Sequence, residues 1–148
     1  MDRIPTRRLA GTVALALLAG AAAAAPAAGQ SGCTAPAKAG AWHSCLTTAH
    51  RTIDDGPELQ LTQARPRLVV RYKACPARRV RRTVAIRTKD GERLGRTSVR
   101  SRCRRGVARW IANLALDAEL MDGTVVRSFW SGIADSGAAA PSVELKAD

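Results

Sequence analysis

Between Arg67 and Arg104 the chain alternates apolar and charged residues at period two, and this rhythm restricts the fold more than any other feature of the sequence. Leu68, Val70 and Tyr72 share one side while Arg71 and Lys73 take the other; Val84 and Ile86 alternate with Thr83, Ala85 and Arg87. Farther on, Val99, Ser101 and Cys103 alternate with Arg100, Arg102 and Arg104. Successive side chains of a strand point to opposite faces, so each run reads as a half-buried β-strand. Three arginines at period two cannot all be buried, so the face carrying Arg100, Arg102 and Arg104 is expected to be wet. Between the second and third runs, Asp90-Gly91 supplies residue types that tolerate the positive φ angles of a tight hairpin.

Val107 to Met121 fits two periods. Val107, Trp110, Ile111, Leu114, Ala118 and Met121 make a helical stripe, whereas Trp110, Ala112, Leu114, Leu116 and Leu120 alternate as a strand would. A second Asp-Gly pair at Asp122-Gly123, followed by the β-rich run Thr124 to Trp130, favours a strand and a second hairpin. Leu59 and Leu61 give an opening strand ahead of a break at Pro66. Six or seven short strands with closely spaced turns indicate an all-β fold, a small disulfide-stapled antiparallel β-sandwich. The alternative is an α+β domain with one helix at about 107–121. The sandwich resembles the immunoglobulin-like architecture in general arrangement alone, since Cys75 and Cys103 bracket no Trp.

The amino end sets the compartment. Arg3, Arg7 and Arg8 precede a largely apolar run from Leu9 to Ala25, with A-x-A-like cleavage sites at Ala23/Ala25 and Ala25/Ala28, which is the build of a secretory signal peptide over residues 1–28. Export turns Cys33, Cys45, Cys75 and Cys103 from candidate metal ligands into a pair of disulfides, and the sequential pairing Cys33 with Cys45 and Cys75 with Cys103 is preferred among three connectivities. Residues 29–40 and 133–148 are rich in Ala, Gly, Pro and Ser and are expected to be flexible tails around one domain at 41–132. No transmembrane segment is expected in the mature form, which is placed outside the cell or at its envelope.

Charge is concentrated in one block. From Arg65 to Arg109 there are 17 Lys and Arg against Asp90 and Glu92, a net of +15, flanked by mildly acidic segments. Such a block attracts anionic partners, whether an envelope polymer, a lipid surface or an acidic protein. Arg71, Lys73, Arg81, Arg87, Arg100, Arg102 and Arg104 are the expected anion-binding residues. Arginine suits phosphate because its planar fork binds bidentately, although 20 of the 24 basic residues are Arg, which also fits a biased composition. Apart from Tyr72, the few aromatic residues are not interleaved with the densest arginines, and no zinc-finger or recognition-helix pattern occurs. Sequence-specific reading of nucleic acid is therefore not expected.

Catalysis and metal binding have little to stand on. His43, Cys45 and His50 are metal-ligand types at short range, but a disulfide consumes the cysteine and leaves no third ligand. Ser44, His50 and Asp54 or Asp55 can be cast as nucleophile, base and orienting carboxylate, yet the segment reads as a loop or short helical turn and no nucleophile elbow is present. No catalytic residue, metal or cofactor is expected, and the leading function is a non-enzymatic binding module. Cys75-Pro76-Ala77-Arg78-Arg79 resembles the reactive loop of subtilisin-inhibitor-like proteins, in which a Cys-Pro pair precedes the bond offered to the protease and a disulfide braces the loop. The resemblance covers the cysteine framework and this pentapeptide. It implies a secreted serine-protease inhibitor presenting the Cys75 to Val80 loop, with Pro76 before Ala77 or Arg78 at the specificity position. The chain departs from that family in having Cys33 almost at the mature terminus and a long segment after Cys103. A Pro-kinked connection followed by a basic edge accounts for the same residues more simply.

Overall fold

The computed structural model describes residues 28–35, 41–133 and 140–147, so the segment read as a signal peptide lies outside the described residues, except for Ala28. Among the described residues nine strands form two antiparallel sheets: β1 (Ala28–Thr34), β2 (Trp42–Thr52), β3 (Glu58–Arg71), β4 (Val80–Thr88), β5 (Arg93–Ser101), β6 (Val107–Ile111), β7 (Leu114–Met121), β8 (Val125–Trp130) and β9 (Ser142–Glu144). The first sheet runs β1-β2-β3-β6, with β7 also pairing with β3, and the second runs β5-β4-β8-β9. Among the described residues there is no helix, so none could cross a membrane.

The ambiguous stretch resolves as strand. β6 and β7 are two strands laid end to end along β3, interrupted at Ala112-Asn113. This interruption explains why the break expected at Pro66 does not occur. Pro66 lies inside β3, paired with Leu46, and its carbonyl accepts the Ala112 amide at 3.0 Å on the β6/β7 side. In an antiparallel ladder the N and O of one residue face the same neighbour, so the donor that proline lacks falls where the facing strand is broken. The Asp90-Gly91 hairpin joins β4 to β5 as expected, with Gly91 N donating to Thr88 O at 3.0 Å. Asp122-Gly123 is also a turn, but it leads from β7 in the first sheet to β8 in the second, so the second hairpin expected from the sequence is instead a crossing between sheets.

Both segments expected as tails contribute strands. Ala28–Thr34 pairs along β2, and Ser142–Glu144 pairs with β8. The loop or short helical turn expected around His43 to His50 is the long strand β2. Its inner face carries Ser44, Leu46, Thr48 and His50, all buried. Polar residues on the core side erase the hydrophobic alternation by which a strand is usually recognised.

One apolar core lies between the sheets. Leu46, Leu59, Leu61, Leu68, Val84, Ile86, Trp110, Val126 and Leu145 are fully buried. Trp110 is the largest, and its indole N–H donates to the Val80 carbonyl at 2.9 Å, tying β6 of one sheet to β4 of the other. Arg82 points inward beside it, its guanidinium 4.6 Å from the ring centroid. That guanidinium is held by the Ser131 carbonyl at 2.8 Å and the Tyr72 hydroxyl at 3.1 Å. The sheets also meet along their edges. A Cβ on Gly32 of β1 would stand 2.2 Å from the Ser142 carbonyl oxygen of β9, so only glycine permits this approach.

Two disulfides join Cys33 to Cys45 and Cys75 to Cys103, the sequential pairing. The first links directly opposed residues of β1 and β2. The second ties the β3–β4 connection to the segment after β5, and both segments pass between the sheets. Two disulfides in a small domain fit an oxidising, extracellular type of environment.

Candidate anion-binding face

The register of β4, β5 and β8 determines which arginines stand together. On β4 the residues Val84, Ile86 and Thr88 are buried, so Arg81, Thr83, Ala85 and Arg87 face outward. Across the ladder Arg81 opposes Arg100, Thr83 opposes Ser98, Ala85 opposes Arg96, and past a bulge Arg87 opposes Arg93. On the other side of β4, Ala85 opposes Phe129 and Arg87 opposes Arg127. The outer face of this sheet therefore carries Arg81, Arg87, Arg93, Arg96, Arg100 and Arg127. Of these, Arg81, Arg93, Arg96 and Arg100 are exposed, while Arg87 and Arg127 are half-buried.

Arginine opposite arginine is electrostatically unfavourable, because directly opposed side chains have Cβ atoms only about 4.5–5.5 Å apart. No carboxylate relieves these pairs within the ladder; Glu144 of β9, diagonal to Arg127, is the acidic strand residue nearest to them. Arg87 donates to the Gly91 carbonyl at 3.2 Å, which steadies one guanidinium at the hairpin end. A bound anion would offset the repulsion. Replacing Arg100 with Glu sets a carboxylate opposite Arg81, and the variant is expected to be more stable than the parent by about 0.2–1 kcal/mol at low salt. Urea titration at two salt concentrations checks this, and an unchanged or lowered midpoint at low salt would show that the pair carries no strain.

Only part of the expected set lies on this face. Arg81, Arg87 and Arg100 do. Arg102 and Arg104 do not continue the ladder, because β5 ends at Ser101 and the chain turns toward the other sheet. Arg104 instead closes a tight turn: its amide donates to the Val107 carbonyl at 2.9 Å, with Arg105 and Gly106 both at positive φ. Arg71 sits at the end of β3 on the opposite sheet, opposite Val107, and Lys73 is exposed in the following connection. Of the residues not expected, Arg96 shares the period-two face of Arg100 and is within reach of alternation, Arg93 joins past a bulge, and Arg127 comes from a strand outside the basic block. For the last two, cross-strand register, which composition does not reveal, was the signal needed.

The other candidates are dispersed. His43 and His50 lie on opposite faces of β2, and Cys45 is committed to its disulfide. The His50 Nε2 donates to the Lys146 carbonyl at 2.7 Å. Ser44 and His50 are six residues apart along one strand, roughly 20 Å, while Asp54 and Asp55 are exposed in the β2–β3 turn. Among the described residues no three His, Cys, Asp or Glu side chains gather as a metal site would need. The Cys75 to Val80 loop is rooted by the Cys75–Cys103 bridge and by the Gly106 amide donating to the Cys75 sulfur at 3.3 Å. Ala77, Arg78 and Arg79 are exposed at its tip and Pro76 is half-buried.

Comparison of the chain with family models, with curated proteins and with solved structures found no match.

Proposed function

We propose that this chain is an exported, non-enzymatic binding module, immunoglobulin-like in general architecture, that holds an anionic polymer at or near the cell envelope. The observation that carries this reading is the register that sets Arg81 opposite Arg100, and Arg87 opposite both Arg93 and Arg127, across one outer sheet face. Rows on one face of a strand are about 6.6 Å apart, so the guanidinia present a two-dimensional array to a chain of repeated charges. The secretory leader and the disulfides supply the compartment. A polymer is favoured over a bilayer because the large apolar side chain on this face, Phe129, is half-buried; the two exposed large apolar side chains among the described residues, Ile111 and Met121, belong to the other sheet.

The test is binding of the oxidised mature domain to long-chain inorganic polyphosphate across a salt series, with anionic vesicles and duplex DNA as parallel arms. Affinity should fall steeply with salt, and neutralising Arg81, Arg96 and Arg100 to Gln should flatten the log–log slope by roughly 2, the loss of three contacts to a single-stranded polyanion. Polymer binding that ignores salt, or whose salt slope is unchanged by this triple substitution, would falsify the proposal. Tighter binding to vesicles than to polymer would move the partner to a lipid surface.

A second reading, a serine-protease inhibitor, is favoured by one observation: the Ala77 to Arg79 tip is exposed and braced at its root by a disulfide. It predicts stoichiometric inhibition of a trypsin-like protease, abolished by Arg78→Ala and untouched by the face substitutions.

A further inference from the structure

The fold divides the basic block between two opposite surfaces. The outer face of the β1-β2-β3-β6 sheet carries Arg65, Arg67 and Arg71 from β3 and Arg109 from β6, all exposed. They share that face because Ala64, Pro66, Leu68 and Val70 of β3 and Ala108 and Trp110 of β6 point to the core. Arg109 opposes Val69, which places it diagonally between Arg67 and Arg71. Arg65 and Arg67 line a shallow groove with Thr47, Cys45 and Ile111 where β6 gives out. The acidic side chains of this sheet lie away from the cluster: Glu58, Asp117 and Glu119 belong to the half of the face built with β7.

We infer that the protein has two back-to-back polyanion-binding faces and bridges two chains of the same polymer. This rests on the reading of the β5-β4-β8 face as an anion-binding surface. Packed sheets are about 10 Å apart before side chains are added, and the Debye length at physiological salt is about 8 Å. Anions on the two faces are therefore screened from one another, and each face binds on its own account. A single polymer chain lying flat on one face leaves the other charged and open to a second chain. The occupant is set by charge complementarity, since four guanidinia on one face, two of them lining a groove, need the same kind of repeated anion as the first face. Linking chains this way converts modest binding at each face into an extended network through multivalency.

The experiment compares binding with cross-linking for the full mature chain and long-chain inorganic polyphosphate. Anisotropy with a short labelled polyphosphate reports binding, light scattering with the long polymer reports bridging, and sedimentation of the protein alone reports self-association. Two variants are used, Arg81, Arg96 and Arg100→Gln on one face and Arg65, Arg67 and Arg109→Gln on the other; all six positions are exposed, so the variants fold. The parent should raise scattering to a maximum near charge balance and lose it again in polymer excess, when each molecule is saturated by separate chains. Each variant should still bind, with a salt slope lower by roughly 2, while its scattering falls at least tenfold. Parent protein that binds without ever bridging, or an Arg65/Arg67/Arg109 variant that bridges like the parent, overturns the two-face inference while leaving the single-face function intact. Absence of all binding refutes the underlying function itself. Scattering that tracks a self-associated species in sedimentation also overturns it, because a protein dimer would then be the linker.

Discussion

A chain shortened to end at Ile133 will lose its cooperative unfolding transition. The removed segment supplies β9 and the residues after it, in which Val143 is 4% exposed and Leu145 fully buried in the core. Leu145 is bonded on both sides, its amide donating to Thr124 O at 2.8 Å and its carbonyl accepting from Gly123 at 2.7 Å. The Lys146 carbonyl takes the His50 ring N–H, and the Ala147 amide donates to Asp122. Burial of two such aliphatic side chains stabilises by about 1.5–3 kcal/mol each, against a net stability of roughly 5–15 kcal/mol for a domain. Loss of the segment also opens the inner face of β2, where Ser44, Thr48 and His50 lie. The single change Leu145→Ala should cost about 2–5 kcal/mol. Urea denaturation followed by near-ultraviolet circular dichroism reads both effects, and a truncated chain that keeps the parental midpoint would show that β9 is dispensable.

Trp110→Ala should be the most damaging single substitution in the core, lowering stability by about 3–5 kcal/mol. The indole is fully buried and makes the cross-sheet bond to Val80, so the variant loses packing, a hydrogen bond and the surface over which Arg82 rests. Trp110→Phe retains most of the ring and should recover more than half of the loss, while Arg82→Leu should cost roughly 1 kcal/mol through the cation–π contact alone. Thermal unfolding of the three variants gives the order directly. An equal cost for Phe and Ala would make the hydrogen bond, and not the volume, the decisive contribution.

These residues also show what sequence reasoning can reach. β4, β5 and the end of β3 are legible because one side of each strand is apolar and the other charged, and the Asp90-Gly91 hairpin is legible because few residue pairs make that turn. β2 is hidden by the polar residues on its core face, and β1 by its Gly- and Ser-containing sequence AGQSGCT. Pro66 signals a break to any local reading, yet its missing donor is harmless only because a strand distant in sequence is itself interrupted there. The candidate site was half visible for a related reason. Arg81, Arg87 and Arg100 follow from alternation, whereas Arg102 and Arg104 obey the same alternation after the strand has ended. Arg127 lies in another strand altogether and reaches the face only through its pairing with Arg87.

The seam where Gly32 of β1 meets Ser142 of β9 brings together nearly the first and the last described segments of the chain. A ribosome delivers β1 long before β9. Neither sheet is built from a continuous stretch, since the first takes β1, β2, β3, β6 and β7 and the second takes β4, β5, β8 and β9. The first half of the described stretch therefore holds no complete sheet, and the core cannot close until β9 is present. Pairings of such long sequence separation make the closing of this core slow compared with a fold assembled from neighbouring segments, and leave its strands open to other partners until the seam is made.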